Sequence, residues 1–440
     1  MTQEPEWRKE KRELAEKYKD FDYNQRKPLN ISVDDLTEKE HEYLIESDTF
    51  CILPWIHLHA YPDGKAYPCC LATYDHHVGN LRDNTIEEVW RDKPMQTMRD
   101  RMLAGKQCKE CTKCYEQENT GFFSMRNSGN RTFGHHIKEV LHSDEFKLRY
   151  YDIRFSNLCN MSCRSCGDIF SSKWTQEYKQ YGWLPKDAPN VTYAGRYKTD
   201  IWEQTLPHIP YMQEVYFAGG EPLMMQEHWD LLDELLKQGR TDVKLVYNTN
   251  FSETIFKGRD VFEIWREFDE VSVGASLDAS YDRGELMRKG TKWSQIVDNR
   301  KRMLEICPDV DFYVSSTLSI MNVFHLPDFH KEWIELGLLE PMDWNINILQ
   351  SPDYMRIDVL PEEMKNQLLK LYQHHCVWLD DKDRFKRAIT GFHSARNYMM
   401  LQDNSNLIPQ LLDQLNKLDK LRGEDFFSVF PELEGLKKYA

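Results

Sequence analysis

Cysteines at positions 159, 163 and 166 constrain this 440-residue chain more than any other feature. They stand in the run Ser156-Asn157-Leu158-Cys159-Asn160-Met161-Ser162-Cys163-Arg164-Ser165-Cys166-Gly167, spaced CX3CX2C. Three thiolates this close in sequence can hold three corners of a cubane iron–sulfur cluster, leaving one iron without a protein ligand from the loop. An open coordination position on a metal is where a small molecule can bind and react. Short cysteine spacings also serve zinc, with a fourth ligand from elsewhere in the chain. The loop follows an apolar, strand-like stretch at 148–155. A metal loop at the carboxyl end of a strand is where α/β barrels place their chemistry.

A second cysteine set lies upstream. Cys51 opens an apolar run, and Pro62-Asp63-Gly64 separates that run from Tyr67-Pro68-Cys69-Cys70. Pro presets φ and Gly accepts positive φ, so the tripeptide reads as a turn. Cys51 and Cys69 then sit near two strands of one hairpin, where they can converge on one metal. Further on, Cys108, Cys111 and Cys114 form a CXXCXXC. Zinc held by two distant cysteine pairs is the alternative reading here. His57, His59, His76 and His77 are expected to be surface or half-buried structural residues. Cys307 and Cys376 have apolar helical surroundings and read as core thiols.

Between residues 148 and 350, six apolar runs alternate with amphipathic helical stretches: 148–155, 214–217, 243–247, 271–275, 312–318 and 344–349. Such alternation predicts an α/β fold with a parallel sheet. The second run ends in Ala218-Gly219-Gly220-Glu221-Pro222, the third in Tyr247-Asn248-Thr249-Asn250, and the fourth in Gly274-Ala275-Ser276-Leu277-Asp278. Two glycines let backbone approach a ligand closely, and a carboxylate can accept from an ammonium. Arg288 follows in Met287-Arg288-Lys289-Gly290, and a guanidinium fork suits a carboxylate.

The formal charge is −15, which argues against nucleic-acid or anionic-membrane binding, since both need basic surface. The first twenty residues are charged and hold no apolar run, so no signal peptide is read there. No stretch approaches the roughly 18 apolar residues of a membrane span. The expected location is the cytoplasm, where cysteines serve as metal ligands or buried thiols more than as disulfides.

Taken together, CX3CX2C and the GGEP run resemble the radical S-adenosylmethionine (SAM) enzymes. The resemblance implies a partial (β/α)6 TIM-type barrel at 148–350. It implies a [4Fe-4S] cluster on Cys159, Cys163 and Cys166 whose free iron is chelated by SAM. Reductive cleavage of SAM then yields a 5′-deoxyadenosyl radical, which abstracts a hydrogen atom from a substrate. Gly219, Gly220 and Glu221 are implied contacts of the SAM amino group. Asn250, Ser276 and Asp278 are implied contacts at strand ends, and Arg288 is an implied partner of the SAM carboxylate. The chain departs from the family at Ser165, where an aromatic residue usually covers the adenine.

The stretch 46–130 resembles the SPASM and twitch auxiliary-cluster domains, through CX12GX4C (Cys51, Gly64, Cys69), Gly79-Asn80-Leu81, Ile86-Glu87-Glu88-Val89-Trp90 and the CXXC pair. It implies a second, auxiliary [4Fe-4S] cluster on Cys51, Cys69, Cys111 and Cys114, with Cys70 and Cys108 as alternates. This small α+β domain precedes the core, whereas in most families it follows. Residues 1–45 read as a charged helical extension with a stripe of Trp7, Leu14, Tyr18 and Phe21, and 351–440 as a helical C-terminal region. The implied substrate is a peptide or protein, with a small molecule or sugar as the alternative, and the implied reductant is a flavodoxin or ferredoxin. A non-catalytic zinc scaffold is the reading from another class; it has no need of the GGEP run.

Overall fold

Runs rich in Val, Ile and aromatic residues form strands, because their branched and flat side chains pack on a pleated surface. The computed structural model describes residues 30–119 and 123–439; the stripe of Trp7, Leu14, Tyr18 and Phe21 lies outside them. The strands in chain order are β1 (His57–Ala60), β2 (Lys65–Tyr67), β3 (Gly79–Asn80), β4 (Tyr150–Ile153), β5 (Glu214–Phe217), β6 (Lys244–Thr249), β7 (Val271–Ala275), β8 (Asp311–Leu318) and β9 (Trp344–Ile348). The last six are the six runs expected from the sequence, and the fold class is α/β with mostly parallel strands. β6 runs two residues further than expected, so Asn248 and Thr249 belong to the strand and Asn250 follows its end.

The chain divides into two compact units. One holds 1–157, 191–220 and 225–245, and the other holds 158–190, 221–224 and 246–440. In the first, the strand order is β5-β4-β1-β2-β3. β1 pairs parallel to β4, with His57 opposite Tyr150 and His59 opposite Asp152. It pairs antiparallel to β2 across the Pro62-Asp63-Gly64 turn. Gly64 has φ +87°, and a Cβ there would lie 2.4 Å from Asn80 Oδ1 and 2.9 Å from the Ala194 carbonyl, so the turn admits only glycine without strain. The parallel β1–β4 pairing was not foreseen; strand pairing is a tertiary choice that local pattern does not encode. Helix Ile86–Arg91 begins at a Thr85/Glu88 capping box, and helix Gln226–Lys237 buries Trp229, Leu231, Leu232 and Leu235.

In the second unit, β7–β8 and β8–β9 pair parallel. Helices Trp293–Ile306 and Leu326–Glu335 join successive strands. Helices Glu362–Leu379, Arg387–Leu401 and Ile408–Arg422 complete the C-terminal region. Cys307 and Cys376 are buried. No helix among the described residues is long and apolar enough to cross a membrane.

A histidine pair ties the C-terminal helices to this unit. His330 Nδ1 and His375 Nε2 are 3.1 Å apart, and Phe392 closes over His375 at 4.7 Å between ring centroids. Burial holds His330 well below the ordinary histidine range. Burial, then the neighbouring Lys331 charge, lowers His375 to about 4. The unfolded rings take up protons near pH 6.5, whereas folded His375 resists until about 4 and His330 is held down with it. Stability is therefore complete above pH 6.5 and is lost as pH falls toward 4. Urea unfolding at pH 7 and pH 5 should show a loss on the order of 2 kcal/mol, and His375→Gln should make that loss smaller.

Candidate metal and cofactor site

The triad loop is pinned by backbone and side-chain bonds, all within the second unit. Ser171 caps helix Ser172–Gln180, accepting from Lys173 N and Trp174 N. The same hydroxyl donates to the Met161 carbonyl at 2.5 Å. Trp174 Nε1 donates to the Cys163 carbonyl at 2.8 Å. Ser172 and Cys159 exchange bonds at 3.2 Å. Residues Ser162–Cys163 pair antiparallel with Arg288–Lys289, which sets Cys163 directly opposite Arg288. Cys166 N donates to the Cys163 carbonyl at 3.0 Å, closing the last turn of the loop.

Burial pushes all three thiols up, and at two of them a neighbouring sulfur adds to the rise. Cys159 and Cys166 are each raised further by Cys163, Cys166 reaching about 12. Three such thiols ionise only at a cost unless a cation shares them, which is the setting of a metal-binding thiolate set. Cys163 is raised least by its neighbours, because the Arg288 guanidinium opposes the effect of burial.

The strand-end residues converge on this loop. Glu221 is fully buried. Its backbone N–H donates to the Leu158 carbonyl at 2.7 Å. Its carboxylate accepts from Thr249 Oγ1 and Asn250 N at 2.7 Å each, and from Leu223 N at 3.2 Å. Burial nonetheless lifts this carboxyl to about 7. Asn250 Nδ2 donates to Asn160 Oδ1 at 2.8 Å and lies 4.0 Å from Cys159 Sγ. Ser276 N donates to the Thr249 carbonyl at 2.7 Å, which seats the end of β7 beside the end of β6.

Arg288 and Asp278 grip each other. Nε and Nη2 of Arg288 donate to the two oxygens of Asp278 at 2.8 and 3.0 Å, while Nη1 lies 4.0 Å from Cys163 Sγ. Asp278 also accepts from Thr317 N at 2.8 Å. In the first unit, Gly219 has φ +123°, with a hypothetical Cβ 3.0 Å from Arg154 Cβ. Gly220 N donates to the Ser156 carbonyl at 3.4 Å. The glycines thus permit the backbone to lie against the segment entering the triad loop.

The upstream cysteines form a separate group in the first unit. Burial raises Cys51, Cys69 and Cys111; Cys51 is raised further by Cys69 and Cys114, Cys69 by Cys70, Cys111 and Cys114, and Cys111 by Cys51, Cys108 and Cys114. Cys108 has its sulfur bonded elsewhere: its Sγ–H is 3.6 Å from the Met98 carbonyl, and Tyr115 OH accepts from its N–H. Cys70 is raised to about 12 by burial and by Asp152. No three His, Cys, Asp or Glu side chains among the described residues converge on one point as a single ion would require. A multi-iron cluster places each thiolate on its own iron and spaces the sulfurs more widely.

Two supports of this group were missed from sequence. Arg126, almost fully buried, donates to the Ser47 and Phe50 carbonyls at 2.8 and 3.0 Å and forks onto Glu118. Asn130 bonds Ile52 N at 2.8 Å and the Phe50 carbonyl at 3.0 Å. Together they strap the segment that carries Cys51. No local signal marks a helical Arg or Asn as such a strap. His57 and His59, expected at the surface or half-buried, are fully buried. His57 Nδ1 bonds the Tyr150 carbonyl at 2.8 Å, and His59 Nδ1 bonds Asp152 Oδ2 at 2.8 Å. Their place on β1, a strand paired on both sides, takes them inside.

Residues 51–115 match the family model of SPASM, an iron–sulfur cluster-binding domain. Among curated proteins nothing matches. Similar solved structures include anSMEcpe with bound AdoMet and the Cp18Cys peptide, at 14% identity and TM-score 0.37, covering 53% of this chain and 61% of that chain. Another is SuiB of Streptococcus suis bound to S-adenosylmethionine, at 13% identity and TM-score 0.37, covering 66% of this chain and 62% of that chain. TYW1 with a lysine-pyruvate adduct matches at 14% identity and TM-score 0.25, covering 51% of this chain and 70% of that chain. The chain spans about three fifths of the length of the first two.

The two CXXC-region thiols make opposite predictions. After anaerobic reconstitution, Cys111→Ser should lose about one cluster of iron, roughly four atoms per chain. Cys108→Ser should retain the wild-type iron content, since its sulfur is engaged with backbone carbonyls.

Proposed function

We propose that this chain is a radical SAM enzyme carrying an auxiliary iron–sulfur cluster, and that it abstracts a hydrogen atom from a peptide or protein substrate. The observation that carries the reading is the triad loop with Glu221, Asn250 and Arg288 gathered around it in one unit. The SPASM match over 51–115 supports the auxiliary cluster. Cys159, Cys163 and Cys166 are the residues that would hold the SAM-cleaving cluster. Cys51, Cys69, Cys111 and Cys114 would hold the auxiliary one.

When bound and reduced, such a cluster would supply one electron to the sulfonium of SAM, so that the S–C5′ bond breaks, methionine leaves and a 5′-deoxyadenosyl radical results. The chain's own residues bind, orient and exclude water. Glu221 keeps a carboxylate at the strand end where an ammonium is to be accepted, while its bonds to Thr249 and Asn250 hold that end in register. Arg288, oriented by Asp278, keeps a guanidinium edge beside Cys163 and stabilises that thiolate. Its remaining donors suit a ligand carboxylate. Gly219 and Gly220 keep side-chain bulk out of the approach. The peptide or protein assignment follows from the auxiliary-cluster resemblance.

The test is anaerobic. Protein reconstituted with iron and sulfide, given SAM and dithionite, should release 5′-deoxyadenosine, and a variant with Cys159, Cys163 and Cys166 all changed to Ala should fall to background, a loss of at least about a hundredfold, or 2.7 kcal/mol in barrier terms. Uptake of zinc alone, with no 5′-deoxyadenosine, would sink the enzyme reading in favour of a zinc scaffold.

A further inference from the structure

Two arginines are exchanged between the triad loop and the end of helix Ile408–Arg422. Arg164, inside the loop between Cys163 and Cys166, reaches Asp419 Oδ1 at 2.5 Å and Glu424 Oε2 at 2.6 Å. Arg422 reaches back. Its Nη2 donates to the Ser162 carbonyl at 2.9 Å, and Nε and Nη2 reach Glu177 Oε2 at 3.1 and 2.9 Å. Its guanidinium also sits 4.6 Å over the Trp174 ring, and it is Trp174 that holds the Cys163 carbonyl.

Smaller links complete the arrangement. Lys289, paired with Ser162 across the short ladder, lies 3.5 Å from Glu424. Tyr181 OH donates to the Leu421 carbonyl at 3.0 Å. The acids are themselves positioned: Gly423, at φ +65°, ends the helix, Glu424 N bonds the Asp419 carbonyl, and Asp419 Oδ2 accepts from Phe426 N at 2.8 Å.

Both guanidinium groups are fully withdrawn from solvent. Nε and Nη1 of Arg164 and Nη1 of Arg422 make no hydrogen bond. A charge so placed is weakly screened and acts on its surroundings over several ångströms. Arg422 bonds the carbonyl of Ser162, the residue before Cys163, so its charge lies against the triad loop.

We infer that the end of helix Ile408–Arg422 is a working part of the triad site: the Arg164–Asp419/Glu424 and Arg422–Glu177 exchange clasps the cysteine loop, and the Arg422–Glu177 charge pair sets the reduction potential of the group bound there. The inference rests on the cluster reading of the triad. Arg422 and Glu177 are positioning residues, since they act through the loop. A buried cation beside an electron-accepting centre favours its reduced form, and a buried anion disfavours it. Removing Arg422 both subtracts the cation and leaves the Glu177 charge with only the Ser162 hydroxyl, which donates to Oε1 at 2.6 Å.

The test compares Arg422→Gln, Arg422→Lys, Glu177→Gln and Arg283→Gln in the reconstituted full chain. Arg283 pairs with Glu432, so its variant breaks a more exposed ion pair to the C-terminal region that bonds no side chain of the loop. The first readout is the midpoint potential of the iron signal that SAM perturbs in electron paramagnetic resonance. Arg422→Gln should shift it negative, Glu177→Gln positive, and Arg283→Gln not at all. A merely structural loosening would move the Arg422 and Glu177 variants the same way, and that result, or no shift in either, overturns the charge role. The second readout is the rate at which a chelator strips metal from the triad. Arg422→Gln should be several-fold faster than wild type, with Arg422→Lys close to wild type. Equal rates overturn the clasp. If the wild-type triad takes up zinc and no iron, the proposed function fails, and zinc stripping then decides the clasp alone.

Discussion

Gathering three half-buried thiols in one short loop is the constraint on which the second unit's site depends. Burial disfavours each thiolate, and the Cys163 sulfur adds to this at Cys159 and Cys166. A loop that gathers them must therefore be held from outside, and this one is bonded at many of its backbone groups between Cys159 and Cys166. Ser171, Ser172 and Trp174 bind it from one helix, and Arg288 pairs it from a short strand. Such support fixes ligand direction before any metal arrives, which is how outer contacts tune a metal centre.

The polar residues at the strand ends do two jobs each. Glu221 joins the end of β6 to the loop through buried bonds to Thr249 and Asn250. Asp278 orients Arg288 and also takes Thr317 N, so one carboxylate links β7, β8 and the cysteine loop. A residue read as a ligand contact is thus also a structural brace. Loss of activity on its removal does not by itself distinguish the two roles.

Much of this was legible in the sequence because it depends on local chemistry. Cysteine spacing needs no partner to be recognised. The six strands stood out because alternation of apolar runs and amphipathic helices is a short-range pattern, and the Pro62-Asp63-Gly64 turn followed from the φ demands of its residues. What was hidden depends on pairing across long separations. The parallel seat of β1 beside β4, the burial of His57 and His59, and the strap made by Arg126 and Asn130 each join residues about 70 to 95 positions apart.

The residues of the C-terminal region show the same division most sharply. Its sequence carries stripes that make helices and no motif that speaks of chemistry, because Asp419, Arg422 and Glu424 are ordinary helix-end charges when read locally. The chain alone determined the kinds of donor available, the turn and strand positions, and the class of fold, since each follows from the preferences of a few neighbouring residues. Only the tertiary structure decided which charges are withdrawn from water and which partners they meet. A salt bridge between residues 164 and 419 depends on the folding of everything between them.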